Sequence, residues 1–555
     1  MPKTFYITTA IDYTNSPPHV GHAYEKVLAD VIARYHRLKG EKVFFQTGAD
    51  QHGQKVQQSA AKAGVPPSEF VKGITQQFIA LWEKLDVRYD AWAATTEPLH
   101  RNVVQGMLQR LWDEKQIYKD KQAGYYSVRQ EQFITDKERG PDGEFGPEWG
   151  QVEFREEENY YFRLEQHKQW LLDLIDQRSK TEKPFVIPDF RETELRNAVE
   201  RLSGDLCISR PKSRLSWGIE LPFDRNYVNY VWFDALTNYI SFVGYDPKID
   251  NYENQSKEFL EKWPALQIIG KDILVPAHGI YWPIMLHALG FPSQAMPQLL
   301  VHGWWNLGGA KMSKSAGNIV DPVVLADKYG PEAVRYYLMS DIVTGQDADF
   351  SEERLVVRYN TDLANSLGNL LNRTLTMVGR YQADRVALPK GEWLQSPDKD
   401  SIEPYKEIIV TQIKAYQSHI SAASTFSVPL ILPFTLGPFV VNGAIGNVMG
   451  IADQGNSLVE NAAPWELAKG SDKASKIKLN SVLYSLTETL RVIAILIWPV
   501  LPRAAHGIFD QLNWKMDLSG KEERFSLADA EWGKLPDGHL VGKPVPLFPR
   551  IEVSG

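Results

Sequence analysis

The stretch "SPPHVGHAYEKVLADVIARY", Ser16 to Tyr35, decides the fold. Two prolines run into His19 and His22, which flank Val20 and Gly21. Val27, Leu28, Val31, Ile32 and Tyr35 then recur at helical spacing, which predicts a helix to about Arg37. Upstream, "KTFYITTAI" (3–11) has the β-rich character of a buried first strand. Downstream, "EKVFFQTGAD" (41–50) reads as a second strand ending in polar residues. Strand, helix, strand is a βαβ unit and implies a parallel sheet. Ligands of such sheets sit at the carboxyl ends of the strands, where both the His-Val-Gly-His turn and "GADQHG" (48–53) fall.

At 555 residues the chain is too long for one ordinary core, so two to four domains are expected. Hydrophobic content of 43% and charged content of 23% are those of a soluble globular protein. A net charge of −8 argues against a polybasic protein but leaves room for a local nucleic-acid surface. The single cysteine, Cys207, rules out a disulfide framework and any thiolate zinc cluster, and suits the cytoplasm. The N-terminus lacks a sustained apolar stretch and carries Asp12, so no secretory signal is expected. The segment from Ala415 to Ala452 has no charged side chain apart from titratable His419 and is long enough to span a bilayer. Pro429, Pro433 and Pro438 would break such a span repeatedly, so buried packing is expected there and no membrane.

An imidazole pair at a helix N-terminus suits polyphosphate, because the unpaired N–H groups and the positive end of the dipole face the ligand. Alone, H-x-G-H is a weak signal, and a capping and packing role is the plainer meaning. Far downstream, "GGAKMSKSAGNIV" places Lys311 and Lys314 on a Gly-rich loop. Lysine suits phosphate as a mobile point charge, although two nearby lysines usually mark a solvated loop. The loop is not a Walker A motif, and no G-x-G-x-x-G fingerprint is present. In the segment from about Ala123 to Arg214, Gly, Glu and aromatic residues suggest an insertion with short strands. After Glu352 the chain turns helical, and Val482, Leu483, Leu486, Leu490, Ile493, Ala494 and Ile497 keep one apolar face until Pro499.

Together the two phosphate signals carry far more weight than either alone. "HVGH" and "KMSKS" resemble the HIGH and KMSKS signatures of class I aminoacyl-tRNA synthetases. The residues between and around them narrow the resemblance to the methionyl-tRNA synthetase family. "TGADQHG", "GDLCISRPKSRLSWGIELPF", "YVWFDALTNYI", "IGKDI", "KMSKSAGNIVDP" and "RYYLMSDI" appear in the family's order, and the similarity spans Phe5 to about Leu547.

The resemblance implies an α/β Rossmann-like nucleotide-binding domain with an inserted α+β connective domain, followed by an all-α anticodon-binding helical domain. Its expected bounds are 1–115 and 221–310 for the two catalytic halves and 116–220 for the insertion. Residues 311–358 would form the KMSKS loop and stem-contact region, 359–530 the helical domain, and 531–555 an extended tail packing back on the body. It implies ATP-dependent ligation of L-methionine to tRNA(Met) through a methionyl-adenylate. Alternatives are another class I synthetase for an apolar amino acid, or a degenerate tRNA-binding paralogue. His19, Gly21, His22, Lys311, Ser313, Lys314 and Ser315 would hold ATP, with Mg²⁺ on its phosphates; His19, His22, Lys311 and Lys314 would be catalytic. Asp50 would pair with the substrate ammonium, and Tyr13, Trp232, Ala235, Leu236, Tyr239, His278 and Trp282 would enclose the thioether side chain. Asn369, Arg373 and Trp465 would meet the anticodon, and a monomer is expected.

The sequence departs from the family in places. Ser127 and Gln130 stand where many relatives have a zinc-binding Cys-x-x-Cys pair, so no structural zinc is expected. "GKDILVPAHGIYWP" is one residue longer than the family norm between Asp272 and Trp282, which leaves the register of His278 and Trp282 open. The apolar stretch from about Ser421 to Gly443 stands where a charged amphipathic helix is expected. Asp12 adds a carboxylate near the ATP site. Arg210, Lys212 and Arg214 read either as a phosphate-binding surface or as a solvated patch.

Overall fold

The computed structural model describes residues 3–127, 132–134, 136–140, 142–312, 319–388, 399–420, 440–514 and 525–552. A seven-stranded sheet organises the first half. Its strands are β1 (Phe5–Thr9), β2 (Asp12–Tyr13), β3 (Val43–Asp50), β4 (Ala91–Ala94), β5 (Val186–Ile187), β6 (Leu266–Gly270) and β7 (Gln298–His302). Every pairing among them is parallel. The order runs β4-β3-β1-β6-β7-β5, and β2 continues the edge of β3 that β1 begins, with Tyr13 opposite Asp50. From β1 the chain winds to β3 on one side, while β6 lies on the other. The carboxyl ends of β1 and β6 therefore form the switch point at which open α/β sheets bind ligands.

The predicted first helix is α1 (Val20–Leu38). From Ala23 to His36 every residue is buried, because the helix lies between the sheet and the helices of the second half. Its charged residues must then find partners indoors. Lys26 Nζ lies 2.6 Å from Asp12 Oδ1 and 2.9 Å from Glu25 Oε1, and Arg34 Nε donates to Asp30 Oδ2 at 2.8 Å.

The expected insertion is divided. Strands Ile117–Ser127, Gln132–Ile134, Val152–Phe162 and Leu206–Cys207 form an antiparallel sheet of their own. Residues Val186–Ile187, placed by the sequence inside the 116–220 unit, instead pair with Leu299 and Leu300 as the last strand of the main sheet. A two-residue strand carries too little periodicity to be read from sequence. Helix α2 (Pro98–Asp113) precedes the insertion and α3 (Val231–Ser241) follows it, and the two pack on one another.

The second half is helical, beginning with α4 (Pro331–Ser340) and centred on α5 (Lys473–Ile497). By length and composition α5 could cross a membrane, yet every residue from Ser481 to Ile497 is buried inside the protein. Its Glu488 and Arg491 pair at 2.6 Å, and the Glu488 carboxylate also accepts the N–H groups of Gly533, Lys534 and Leu535. Arg335 of α4 fastens the halves together. Fully buried, it donates to Asp30 Oδ2 of α1 at 2.8 Å and to the carbonyls of Leu85, Pro499 and Val500 at 2.8–2.9 Å. Burial pushes the Asp30 carboxyl up, but the Arg34 and Arg335 guanidiniums outweigh it and hold Asp30 below the usual carboxylate range. The C-terminal segment returns to the body: His539–Leu540 pairs with Arg385–Val386, and Ile551 exchanges two hydrogen bonds with the Asn360 side chain. Of the apolar stretch 421–443, residues 421–439 lie outside the described residues; Val440 opens the helix Val441–Ala462.

Candidate active site

His19 is the N-cap of α1, and it is built reciprocally. Its Nδ1 accepts the Gly21 N–H at 3.1 Å, while its own N–H donates to His22 Nδ1 at 3.1 Å. An Nδ1 that accepts carries no proton, so the neutral rings keep theirs on Nε2 as donors. The ring centroids are 3.8 Å apart. Gly21 is required here, since a Cβ would stand 2.9 Å from His19 Cε1. The plain meaning of the motif, capping, and the functional one are thus the same geometry.

Both histidines and Gly21 line a cavity of about 300 Å³ at the switch point. Ala10 and Ile11 after β1, Gly270 and Asp272 after β6, and His302 to Trp305 after β7 complete it. Asp12 reaches it too, held by Lys26; burial outweighs that ammonium and pushes the Asp12 carboxyl up to about 7. Glu25, Asp272, His302 and Trp304 are wall residues that the sequence reading missed. Glu25 had a signal, since it follows His22 by three positions on the same helical face. The strand Trp305–Leu307 pairs with Ala310–Lys311 through Gly308 and Gly309, both at positive φ, which brings Met312 to the cavity. Ser313, Lys314 and Ser315, and the side chain of Lys311, lie outside the described residues.

A second cavity, about 780 Å³, adjoins the first and shares Ala10, Ile11, Tyr13, Asp272 and Ile273 with it. Tyr13, Asp50, Trp232, Ala235, Leu236, Tyr239 and His278 all line it. Asp50 is buried, its Oδ1 has no hydrogen-bond partner, and burial together with the Asp234 charge pushes its carboxyl well above the usual range. A buried anionic oxygen with no donor needs a cation. Residues Leu274–Tyr281 form a kinked π-type segment, with Val275 out of helical conformation at φ −112° and ψ 124°. His278 keeps its place: Nδ1 donates to the Ile273 carbonyl at 2.9 Å, and Nε2 accepts the Tyr239 hydroxyl at 2.7 Å. Trp282 does not line this cavity. It is fully buried one layer back, its ring 5.9 Å from that of Tyr239, and Pro276 and Tyr281 face the cavity instead.

Burial lowers His278 from 6.5 to about 4. The unfolded chain therefore takes up this proton first as pH falls. The contribution of neutral His278 to stability is complete above about pH 6.5 and declines toward about pH 4, by about 3 kcal/mol in all. His278→Gln is expected to flatten the fall of the unfolding midpoint across that window; an unchanged pH profile would contradict the assignment.

The basic surface expected at Arg210, Lys212 and Arg214 is otherwise engaged. Arg210 is buried with its guanidinium 3.9 Å from the Tyr230 ring centroid, Lys212 pairs with Glu220, and Arg214 pairs with Glu157 at 2.9 Å. Ser127 Oγ donates to the Trp149 carbonyl at 2.5 Å, while Gln130 lies outside the described residues. Among the described residues no three His, Cys, Asp or Glu side chains are grouped to hold a metal ion.

In the helical half, Asn369 follows a second wide turn, Tyr359–Gly368, and Arg373 Nη1 pairs with Glu460 at 2.7 Å. Trp465, in the short helix Pro464–Leu467 just beyond, is 37% exposed. Asn365, four residues before Asn369, lines a shallow cavity with it and accepts from Arg550 at 2.8 Å; that spacing was its overlooked signal.

The family model described as "tRNA synthetases class I (M)" matches residues 5–142 and 149–375. The chain belongs to the class I methionyl-tRNA synthetase family. It is similar to the methionine--tRNA ligase of Lactococcus lactis, with 38% identity over all of this chain and 78% of the relative. That of Caldanaerobacter subterraneus is 39% identical, over all of this chain and 80% of its own. The solved Mycobacterium tuberculosis methionyl-tRNA synthetase in complex with methionyl-adenylate superposes with a TM-score of 0.84 at 34% identity, covering 99% of this chain and all of that one. Its apo form gives 0.79 at 31% identity, covering all of this chain and 99% of that one.

Proposed function

We propose that the chain ligates L-methionine to tRNA(Met), first condensing the amino acid with ATP to methionyl-adenylate with release of pyrophosphate, then passing the methionyl group to the terminal ribose with release of AMP. The observation that carries this reading is the partnerless Asp50 oxygen, buried in the wall of the larger cavity, which adjoins the His19–His22 helix mouth.

In the first step the methionine carboxylate attacks the α-phosphorus and pyrophosphate leaves. Nε2–H groups of His19 and His22, at the positive end of α1, meet the phosphate oxygens as charge builds on them. Lys311 and Lys314 act on the β- and γ-phosphates, and Ser313 and Ser315 belong to the same loop. Asp50 takes the ammonium, and this orients the carboxylate toward the phosphorus. Tyr13, Trp232, Ala235, Leu236 and Tyr239 enclose the side chain, with Tyr239 oriented by His278 and backed by Trp282. Among the described residues of the ATP cavity, Lys26 and His302 already hold Asp12 and Glu25, and with Asp272 no carboxylate cage for a cation is assembled. Mg²⁺ fits as an ion carried by the triphosphate and water, neutralising phosphate charge.

Asn369, Arg373 and Trp465 serve the anticodon, and the work is that of cytoplasmic translation. Methionine-dependent ATP–pyrophosphate exchange tests the first step. Exchange with methionine, and weaker exchange with other apolar amino acids, is expected; its absence in folded protein would overturn the reading. Trp465→Ala is expected to raise KM for tRNA about tenfold, since base stacking on an aromatic ring contributes about 1–3 kcal/mol. Exchange without tRNA would stay within about twofold, which aminoacylation and exchange assays compare directly.

A further inference from the structure

Beneath the amino-acid cavity lies a polar cluster that the reaction as described does not use. The Asp234 carboxylate receives His52 Nδ1 at 2.7 Å on Oδ2 and His100 Nε2 at 2.8 Å on Oδ1. His100 Nδ1 lies 2.9 Å from Ser241 Oγ. All three charged or titratable side chains are at most 2% exposed. They come from three elements: His52 from the turn after β3, His100 from α2, and Asp234 from α3.

The cluster joins the two parts of the cavity that have to agree. Asp234 stands on the helix that also supplies Trp232, Ala235, Leu236 and Tyr239 to the cavity wall. His52 follows Asp50 by two residues, and its backbone N–H favours the charged form of the Asp50 carboxyl. One path thus runs from the helix to Asp50, through Asp234 and His52. Only a carboxylate can accept from both imidazoles at once, because an amide in its place offers one acceptor and one donor group. We propose that Asp234, acting through His52, is a positioning residue for the amino group of the amino-acid substrate, holding the Asp50 carboxylate in register with the helix that encloses the side chain.

The charge of Asp234 has a second effect. Burial pushes it up, yet His52 and His100 outweigh burial and hold it at about 2. Its negative charge then adds to burial in raising Asp50. Lys55, Asp205, Cys207, Arg210, Asp272 and His278, with Tyr13, Tyr161, Tyr230, Tyr239 and Tyr281, are the other titratable groups in the wall of the cavity that Asp50 faces, and His52 and His100 are those facing Asp234. An ammonium arriving at Asp50 restores its ionised form, so methionine binding releases a proton on the acid side.

The proposal rests on Asp50 as the ammonium partner. Wild-type exchange that failed to saturate with methionine would refute that reading, whereas the variants below address Asp234 alone. Asp234→Asn is expected to lower kcat/KM for methionine about tenfold or more on the alkaline plateau, with KM for ATP within about twofold. Its acid limb should move to lower pH, because one negative charge beside Asp50 is gone. A limb that stays in place, or KM values for ATP and methionine that rise together, would overturn the proposal. Should Asp234→Asn not fold, His100→Phe removes the donor to Asp234 Oδ1 at a position remote from both substrates. It is expected to raise KM for methionine severalfold and leave KM for ATP unchanged; wild-type kinetics for methionine would overturn the proposal equally.

Discussion

Asp50→Ala is expected to lower kcat/KM for methionine in pyrophosphate exchange by about two to four orders of magnitude. An ion pair formed away from water loses about 3–5 kcal/mol when one partner is removed, and each 1.36 kcal/mol is tenfold in rate. The loss should fall on methionine, since Asp50 lines the amino-acid cavity and is absent from the wall of the ATP cavity. The fold should not suffer. In the free protein Asp50 is a buried carboxyl with one oxygen lacking a donor and a second carboxylate nearby, so removing it relieves a local conflict. A melting temperature no lower than that of the wild type, together with lost exchange, is the expected pair of results. Exchange within tenfold of the wild type would show that the ammonium is held elsewhere.

Arg335→Ala is expected to act in the opposite way, through stability. It leaves Asp30 paired to Arg34 alone and leaves the carbonyls of Leu85, Pro499 and Val500 without this donor. Breaking a buried ion pair from one side costs about 3–5 kcal/mol. Chemical denaturation should show that loss. The double substitution Asp30→Asn with Arg335→Met should cost less than the sum of its parts, because the ion pair the two residues share is then lost only once, while Arg34 keeps Asp86. Strict additivity would mean that the two residues are not coupled. Because Arg335 joins α1 to the loop after α5, the variant is also expected to weaken tRNA charging more than exchange.

The sheet and its ligand end were legible because the first ninety-odd residues alternate strand and helix periodicity, and because His19, His22 and Asp50 fall at strand ends. The wall of the larger cavity was legible in part through "YVWFDALTNYI", whose Trp232, Ala235, Leu236 and Tyr239 all line it. Trp282, the first residue of the helix Trp282–Ala288, lies one layer behind the cavity wall, a depth that a helical period cannot give. Arg210 illustrates another limit: an arginine that stacks on a ring and one that meets phosphate look alike in sequence. Long-range pairs were out of reach altogether. Asp30 and Arg335 are 305 positions apart, and Asp234 meets His52 across 182. Nothing local marks either pair, because burial by another element, not neighbouring sequence, forces the charges to find each other.

The reciprocal cap at His19 and His22 has a consequence for when the work of catalysis is done. In water, a developing phosphate charge is met by solvent dipoles that must turn toward it, and that turning is part of the barrier. Here each imidazole has already committed one nitrogen to the main chain, which settles which atom carries the proton and which way each ring lies. The orientation that solvent would have to find at the instant of reaction is instead completed once, when the chain folds, and is reused at every turnover.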